Sequence, residues 1–386
     1  MGFKIGDSEI EDLYIRKEFF NVGGLWSWGR NSDGELGDNS IADKSTPVQT
    51  ITAGTNWKSV AGGSSHTAAI KTDGTLWLWG RNSDGELGDN SIADKSTPVQ
   101  TITAGTNWKS VAGGSSHTAA IKTDGTLWLW GRNSYGELGD NSIADKSSPV
   151  QTVLGGTDWK SVAGGSGARH TAAIKTDGTL WLWGGGLEGQ LGDNSIAHKS
   201  SPVQTVLGGT DWKSVVVGRF YTGAIKTDGT LWTWGSDFYG QLGDNSVVDK
   251  STPVQVAGAG TNWKLMSAGV RHTAAIKTDG TLWVWGGNGF FGQLGDNSTL
   301  NKSTPVQTIT AGTNWRLVAT GRYHTAGIKT DGTLWTWGIN SDGGLGDNSI
   351  VSKSTPVQTI TAGTNWKSVS CGYHTVAINA TWGNIT

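Results

Sequence analysis

Six histidines stand immediately ahead of a threonine, at His66, His117, His170, His272, His324 and His374, and Tyr221 takes the same place once. Imidazole is the usual general base near neutral pH and a common metal ligand. Either use needs several donors to converge on one centre. These residues instead recur every 50 to 53 positions, so in a ring of repeated units they lie too far apart to share an ion at ordinary ligand distances. Structural hydrogen bonding is the expected role of the series, and His198, outside it, reads as an exposed loop residue. The run Gly37-Asp38-Asn39-Ser40, followed by Asp43, offers oxygen ligands in a loop. Its order does not match a calcium loop, and Asp and Asn stabilise such turns through their own side chains. The Gly-rich loops follow strands without leading into helices, so they are not phosphate cradles. No Ser-His-Asp or Cys-His set stands apart. The reading is of a protein with no catalytic residues, no metal and no cofactor.

The elements that carry these residues are repeated. The first Trp of each Leu-Trp-x-Trp-Gly run falls at 26, 77, 128, 181, 232, 283 and 335, and all seven prolines keep the same beat. Residues 28–78 and 79–129 are identical, as after a recent duplication or by deliberate design. There are seven units. Thr75-Leu76-Trp77-Leu78-Trp79 alternates Leu and Trp, so both faces of that strand must be covered. His66–Lys71 is a second strand, joined to it through Thr72-Asp73-Gly74, a hairpin signal that predicts a type I′ turn. Asn56–Ala61 is a third strand, and Thr97–Gln100 a short one whose Pro98 points to a sheet edge.

Sheets this small cannot bury their own faces, and radial stacking solves that while leaving only short edges. The expectation is an all-β, seven-bladed β-propeller over residues 25–386 behind an N-terminal arm, residues 1–24. Three Trp per unit, 21 of the 22, would fill the wedges between sheets as core. The chain enters in mid-unit, so Leu25–Trp28 is expected to complete the last blade beside residues 366–378, closing the ring as a velcro joint. The tail at 380–383 would pair with or cover that edge.

Composition narrows the function. Lys4, Arg16 and Lys17 against Asp7, Glu9, Glu11, Asp12 and Glu18 give the arm the whole formal charge of −2, so the remainder is neutral. A neutral body argues against nucleic acid. Cys371 is the sole cysteine, so no intrachain disulfide forms. No stretch has the length for a membrane span, and the first residues lack the apolar segment of a secretory signal.

The pattern Trp-Gly-x-Asn-x-x-Gly-Glu/Gln-Leu-Gly, then Pro-Val, then Val-x-x-Gly-x-x-His-Thr-x-Ala-Ile, then Asp-Gly-x-Leu-x-x-Trp-Gly resembles the repeat of the regulator of chromosome condensation, over about residues 25–378. The resemblance implies a seven-bladed propeller. It leaves function open among guanine-nucleotide exchange on a small nuclear GTPase, ubiquitin-ligase accessory domains, β-lactamase inhibition and uncharacterised bacterial and viral proteins. Exchange factors of the family carry a wedge-like insertion and a basic tail, whereas this chain has insertions of at most two residues and an acidic arm. The short acidic, aromatic arm before Gly-Gly-Leu-Trp-x-Trp-Gly also looks like repetitive propellers of tailed phages, which implies a virion or tail-fibre-like protein.

Residues that leave the repeat carry the functional signal. Loops before His-Thr and after Trp-Gly share one face of the ring, and both larger length changes fall there. So do Tyr135, Arg169, Arg219, Phe220, Tyr221, Phe238, Tyr239, Arg271, Phe290, Phe291, Arg322, Tyr323 and Tyr373, where the early copies hold Ser64-Ser65 and Ser83-Asp84. Arg, Tyr and Phe are residues of binding hot spots, so this face is expected to bind a protein partner. In the arm, Leu13, Tyr14, Ile15, Phe19 and Phe20 are expected to dock on another copy or a virion component, or else to cap the propeller's own underside. The first reading is a virion-associated binding module, otherwise cytoplasmic; the alternative is a regulatory propeller that promotes nucleotide exchange or inhibits an enzyme.

Overall fold

The computed structural model describes residues 23–380, apart from 52, 53, 55, 104, 259, 290, 311 and 361–364. Its strands form seven four-stranded antiparallel sheets. In the sheet opened by Trp57–Gly62 the next strands are His66–Lys71, Leu76–Gly80 and Lys95–Gln100, side by side in chain order. The first strand of each sheet touches its counterparts in the neighbouring sheets and lies innermost. The Pro-bearing strand lies at the outer edge, as its missing N–H requires.

Alternation on the Leu-Trp-x-Trp strand is what stacks the sheets. Ala68, Ile70, Leu76 and Leu78 pack from one sheet onto Trp108, Ala120 and Trp130 of the next, and the other interfaces repeat this arrangement. Within each sheet the inner-strand Trp meets the second Trp of the third strand edge to face, as Trp57 meets Trp79 at 6.1 Å. The first Trp of each run stays half-buried, and Lys71 lies over the rings of both Trp57 and Trp77.

The ring closes across the chain ends. Leu25–Gly29 pairs with His374–Asn379 from Leu25↔Ile378 to Gly29↔His374, and the sheet is completed by Lys44–Gln49 outside and Trp366–Cys371 inside. The tail residues expected to cover this joint lie outside the described residues from Thr381 onward.

One local expectation is corrected. Gly74 N–H donates to Lys71 C=O, and Gly74 has φ +81° while Thr72 and Asp73 stay at negative φ. The hairpin is therefore a type I turn ended by a left-handed Gly, not type I′. Asp73 favours it by accepting from the N–H and hydroxyl of Thr75 at 2.9 and 2.7 Å. In the other recurrent loop the Asx turn forms, with Asp38 Oδ1 accepting from Ser40 N–H at 3.0 Å.

Candidate functional site

Six of the seven interfaces between sheets carry a buried polar relay built from the His-Thr pair. His374 Nε2 lies 2.6 Å from Thr67 Oγ1, and that hydroxyl donates to the Glu35 carbonyl at 2.9 Å. The same carbonyl accepts from Trp79 Nε1 at 2.8 Å. Because the one hydroxyl proton points at the carbonyl, the imidazole must be the donor, which fixes a neutral Nε2–H tautomer. His66 to Thr118, His117 to Thr171, His170 to Thr222, His272 to Thr325 and His324 to Thr375 repeat the link. Every such histidine reaches into the following sheet, so the series clamps the ring, including the contact between the last sheet and the one opened by Trp57–Gly62.

Tyr221 is a correction. It was expected among the exposed contact residues, but it is fully buried. Its hydroxyl donates to the His272 carbonyl at 2.6 Å and lies 3.0 Å from Thr273 Oγ1, so it bridges the same gap as the histidines. Burial raises its hydroxyl above the ordinary tyrosine range, and it stays neutral. Burial likewise lowers every relay histidine, His66, His170, His272 and His374 to about 3 and His117 and His324 to about 4. His198 is exposed, where sequence placed it, but it also serves the loop: its Nδ1 accepts from Gly186 N–H at 3.1 Å, the role Asp43 plays for Asn31.

Two further roles went unread in the sequence. Asn31, recurring as Asn82, Asn133, Asn288 and Asn340, ties its loop together by donating to Asp38 and to the Ser40 and Ala42 carbonyls. Glu35, Glu86 and Glu137 are buried, and burial raises each carboxyl to about 7. Among the described residues no cluster of three His, Cys, Asp or Glu is placed to hold a metal.

The remaining variant loop residues gather on the face opposite the Asp-Gly hairpins. Arg271 lies 4.6 Å above the Tyr239 ring and 5.3 Å from that of Tyr323. Arg322 lies 5.1 Å from Tyr323 and 4.6 Å from Tyr373, which Arg30 approaches at 5.2 Å. Phe291 packs on Tyr323 at 5.7 Å. This continuous arc borders a cleft of about 460 Å³ lined by Arg30, Arg322, Tyr323, Tyr373, Ser341 and Asp342. A second cleft, about 350 Å³, lies among Arg219, Phe220, Phe238, Tyr239, Arg271 and Glu188. Phe238 is 74% exposed. Arg169 stacks on Tyr135 at 5.5 Å, apart from the main arc. Phe290, and the arm residues Leu13, Tyr14, Ile15, Phe19 and Phe20, lie outside the described residues.

The same face holds seven of the nine arginines: Arg30, Arg81, Arg132, Arg169, Arg219, Arg271 and Arg322. Arg30 and Arg81 pair with Asp33 and Asp84. Where Tyr135 and Tyr239 replace that Asp, the neighbouring charge is lost, and Arg132, Arg169, Arg219, Arg271 and Arg322 form no salt bridge among the described residues. The sequence signal available for this was the concentration of arginine in these loops, while every described lysine lies in a strand.

The family model of the RCC1-like domain matches residues 24–378. The chain belongs to the RCC1-like family. Among its relatives, the ultraviolet-B receptor UVR8 of Arabidopsis thaliana is 33% identical over 344 residues, covering 86% of this chain and 76% of the receptor. The E3 ubiquitin-protein ligase HERC2 of Homo sapiens is 30% identical over 321 residues, which span 80% of this RCC1-like chain but only 6% of the ligase. In three dimensions the chain is similar to Prp20p of Saccharomyces cerevisiae, with a TM-score of 0.82 at 21% identity over 96% of this chain and 95% of that one. Human WBSCR16 is similar at 0.81 and 21%, over 94% and 100%. These likenesses establish the RCC1-like propeller fold, and among the described residues no helix is long and apolar enough to cross a membrane.

Proposed function

We propose that this RCC1-like protein is a non-catalytic regulatory propeller that works by binding another protein through its arginine- and aromatic-rich face. The observation that carries this reading is the set of five arginines without ion pairs, held against Tyr and Phe rings on one side of an otherwise regular ring. Arg and aromatic side chains supply large contact areas and directional hydrogen bonds at interfaces. A repeat that buries its histidines in relays between sheets leaves these loops as the place where one copy differs from another. Relatives favour this regulatory reading over a virion component: Prp20p is described by its binding to Gsp1p and histones, and yeast RCC1 in a complex with Kap60. Partners of this chain are accordingly expected to be proteins.

Phe238 and Tyr239 stand edge to face, 4.9 Å apart, at the rim of the second cleft. Changing Phe238→Ser with Tyr239→Asp should weaken binding to a partner isolated with the wild-type chain by about tenfold or more, while the urea midpoint of the free protein stays near wild type. A double variant that loses stability and still binds would refute the assignment. A stable complex with a small GTPase or a hydrolase would specify the regulatory target.

A further inference from the structure

The acidic arm and the arginine arc carry opposite charge, and Gly23, which joins the arm to the ring, lies on the side away from the arc. Gly23 bridges to Trp57, and Trp57 pairs with Lys71 at the hairpin end of its sheet. Gly23, near the end of the arm, therefore lies at the hairpin face, whereas the arc lies on the other. Within the arm, Asp7, Glu9, Glu11 and Asp12 alternate with Ile10, Leu13 and Tyr14. Guanidinium groups bind carboxylates through paired, charge-assisted hydrogen bonds. Arg271 and Arg322 hold no carboxylate, and the rings that stack on them leave guanidinium edges free for one. Asp342 at the cleft rim is engaged by Ser341 Oγ at 3.0 Å. With the body neutral overall, the arm holds the chain's net negative charge.

We infer that residues 7–14 of one chain dock on the Arg271–Tyr323–Arg322–Tyr373 arc of a second copy, head to tail. The inference rests on the reading of that face as a binding surface and names its occupant. Because the arm and the arc are different patches, the contact is heterologous. It builds chains or closed rings, or a two-fold dimer where two chains exchange arms.

Sedimentation velocity of the full-length protein over a concentration series provides the test. Association should grow with concentration and weaken between about 50 and 500 mM salt, where screening shortens the range of the charges. Reversing the face with Arg271→Glu and Arg322→Glu should weaken it about tenfold or more, as should reversing the arm with Asp7→Lys, Glu9→Lys, Glu11→Lys and Asp12→Lys. Mixing the two reversed chains should restore association, because a lysine arm then meets a glutamate face. Restoration also shows that both variants are folded. A wild type that stays monomeric throughout, association indifferent to the face charges, or a mixture that fails to associate would each overturn the inference. If the wild type is monomeric while the Phe238→Ser, Tyr239→Asp chain still loses its external partner, only the occupant falls and the binding face stands.

Discussion

Acidification should unfold this protein steeply, with the loss of stability beginning below pH 6.5 and becoming sharpest below pH 4.5. The cause is the relay. Six histidines titrate near 6.5 in the unfolded chain but only near 3 to 4 in the folded one, chiefly through burial and, for His66, His170, His272 and His374, also through neighbouring histidines. Between those values the unfolded state binds more protons, so stability rises with pH there and is lost as pH falls. Protonation would also place a cation where Nδ1 of His170, His272 and His374 finds no acceptor. Opposing this, Glu35, Glu86, Glu137 and Asp237 have folded values raised to about 7, and their stabilisation fades as pH rises from about 4.5 to 7. Stability should therefore peak between pH 6.5 and 7. Between about pH 4.5 and 4 the six histidines contribute a slope on the order of 8 kcal/mol per pH unit. At lower pH Asp73, Asp124, Asp177, Asp228, Asp279 and Asp331, held below the ordinary carboxylate range by hydrogen bonds from Thr, add to the loss. Circular dichroism against pH measures this. The interface bridged by Tyr221, which has nothing to titrate, should keep its amide protection longest in hydrogen exchange at pH 4.5. A protein unchanged from pH 7 to pH 4 would contradict the relay.

Replacing Glu35, Glu86 and Glu137 together by Gln should stabilise the protein at pH 8 and leave it nearly unchanged at pH 4.5. Each carboxyl faces burial that lifts it to about 7, so above that pH the fold must hold a buried charge that the unfolded chain ionises freely. The sign follows: the native form is favoured while the group is protonated, and the advantage disappears above pH 7. Gln is the built-in control. Gln190, Gln241 and Gln293 occupy the same place in three later sheets, and Gln190 Oε1 accepts from Glu188 N–H at 2.9 Å as Glu35 Oε2 accepts from Asp33 N–H. Removing the ionisation should gain on the order of 3 kcal/mol per site at pH 8, read from urea midpoints at the two pH values. Equal midpoints for wild type and variant at pH 8 would show that these carboxylates are solvated in practice.

The fold was legible because seven copies average out local ambiguity. Leu and Trp alternate on the third strand in every unit, the prolines mark each outer edge, and entry in mid-unit dictates the terminal joint. The hairpin turn was misjudged because Asp-Gly serves two turn types, and only backbone angles separate them. The site was legible only in part. Tyr221 looked like an exposed aromatic next to Arg219 and Phe220, although its position in the His-Thr register was the clue that it belongs to the relay. Arg30 and Arg132 join the aromatic stacks from a part of the repeat that looked invariant, so a search for departures passed over them. Glu35 reads as a charged loop residue, and nothing local to it in sequence announces burial beneath the next sheet.

The account depends on a division of labour: relays between sheets hold the ring, and the arginine face is spare for a partner. Urea unfolding of Arg271→Ser with Arg322→Ser, beside unfolding of His272→Ala, tests this most directly. The early copies carry Ser64 and Ser65 at the positions of Arg322 and Arg271, so the serines fit the backbone. The account predicts that the arginine variant loses about 2 kcal/mol or less, the range of a few exposed cation–π contacts. His272→Ala should lose about 2–4 kcal/mol, from a buried cavity and a broken link to Thr325. The reverse order, with the arginine pair costing more than the buried histidine, would mean that the face is part of the scaffold and not a surface kept for binding.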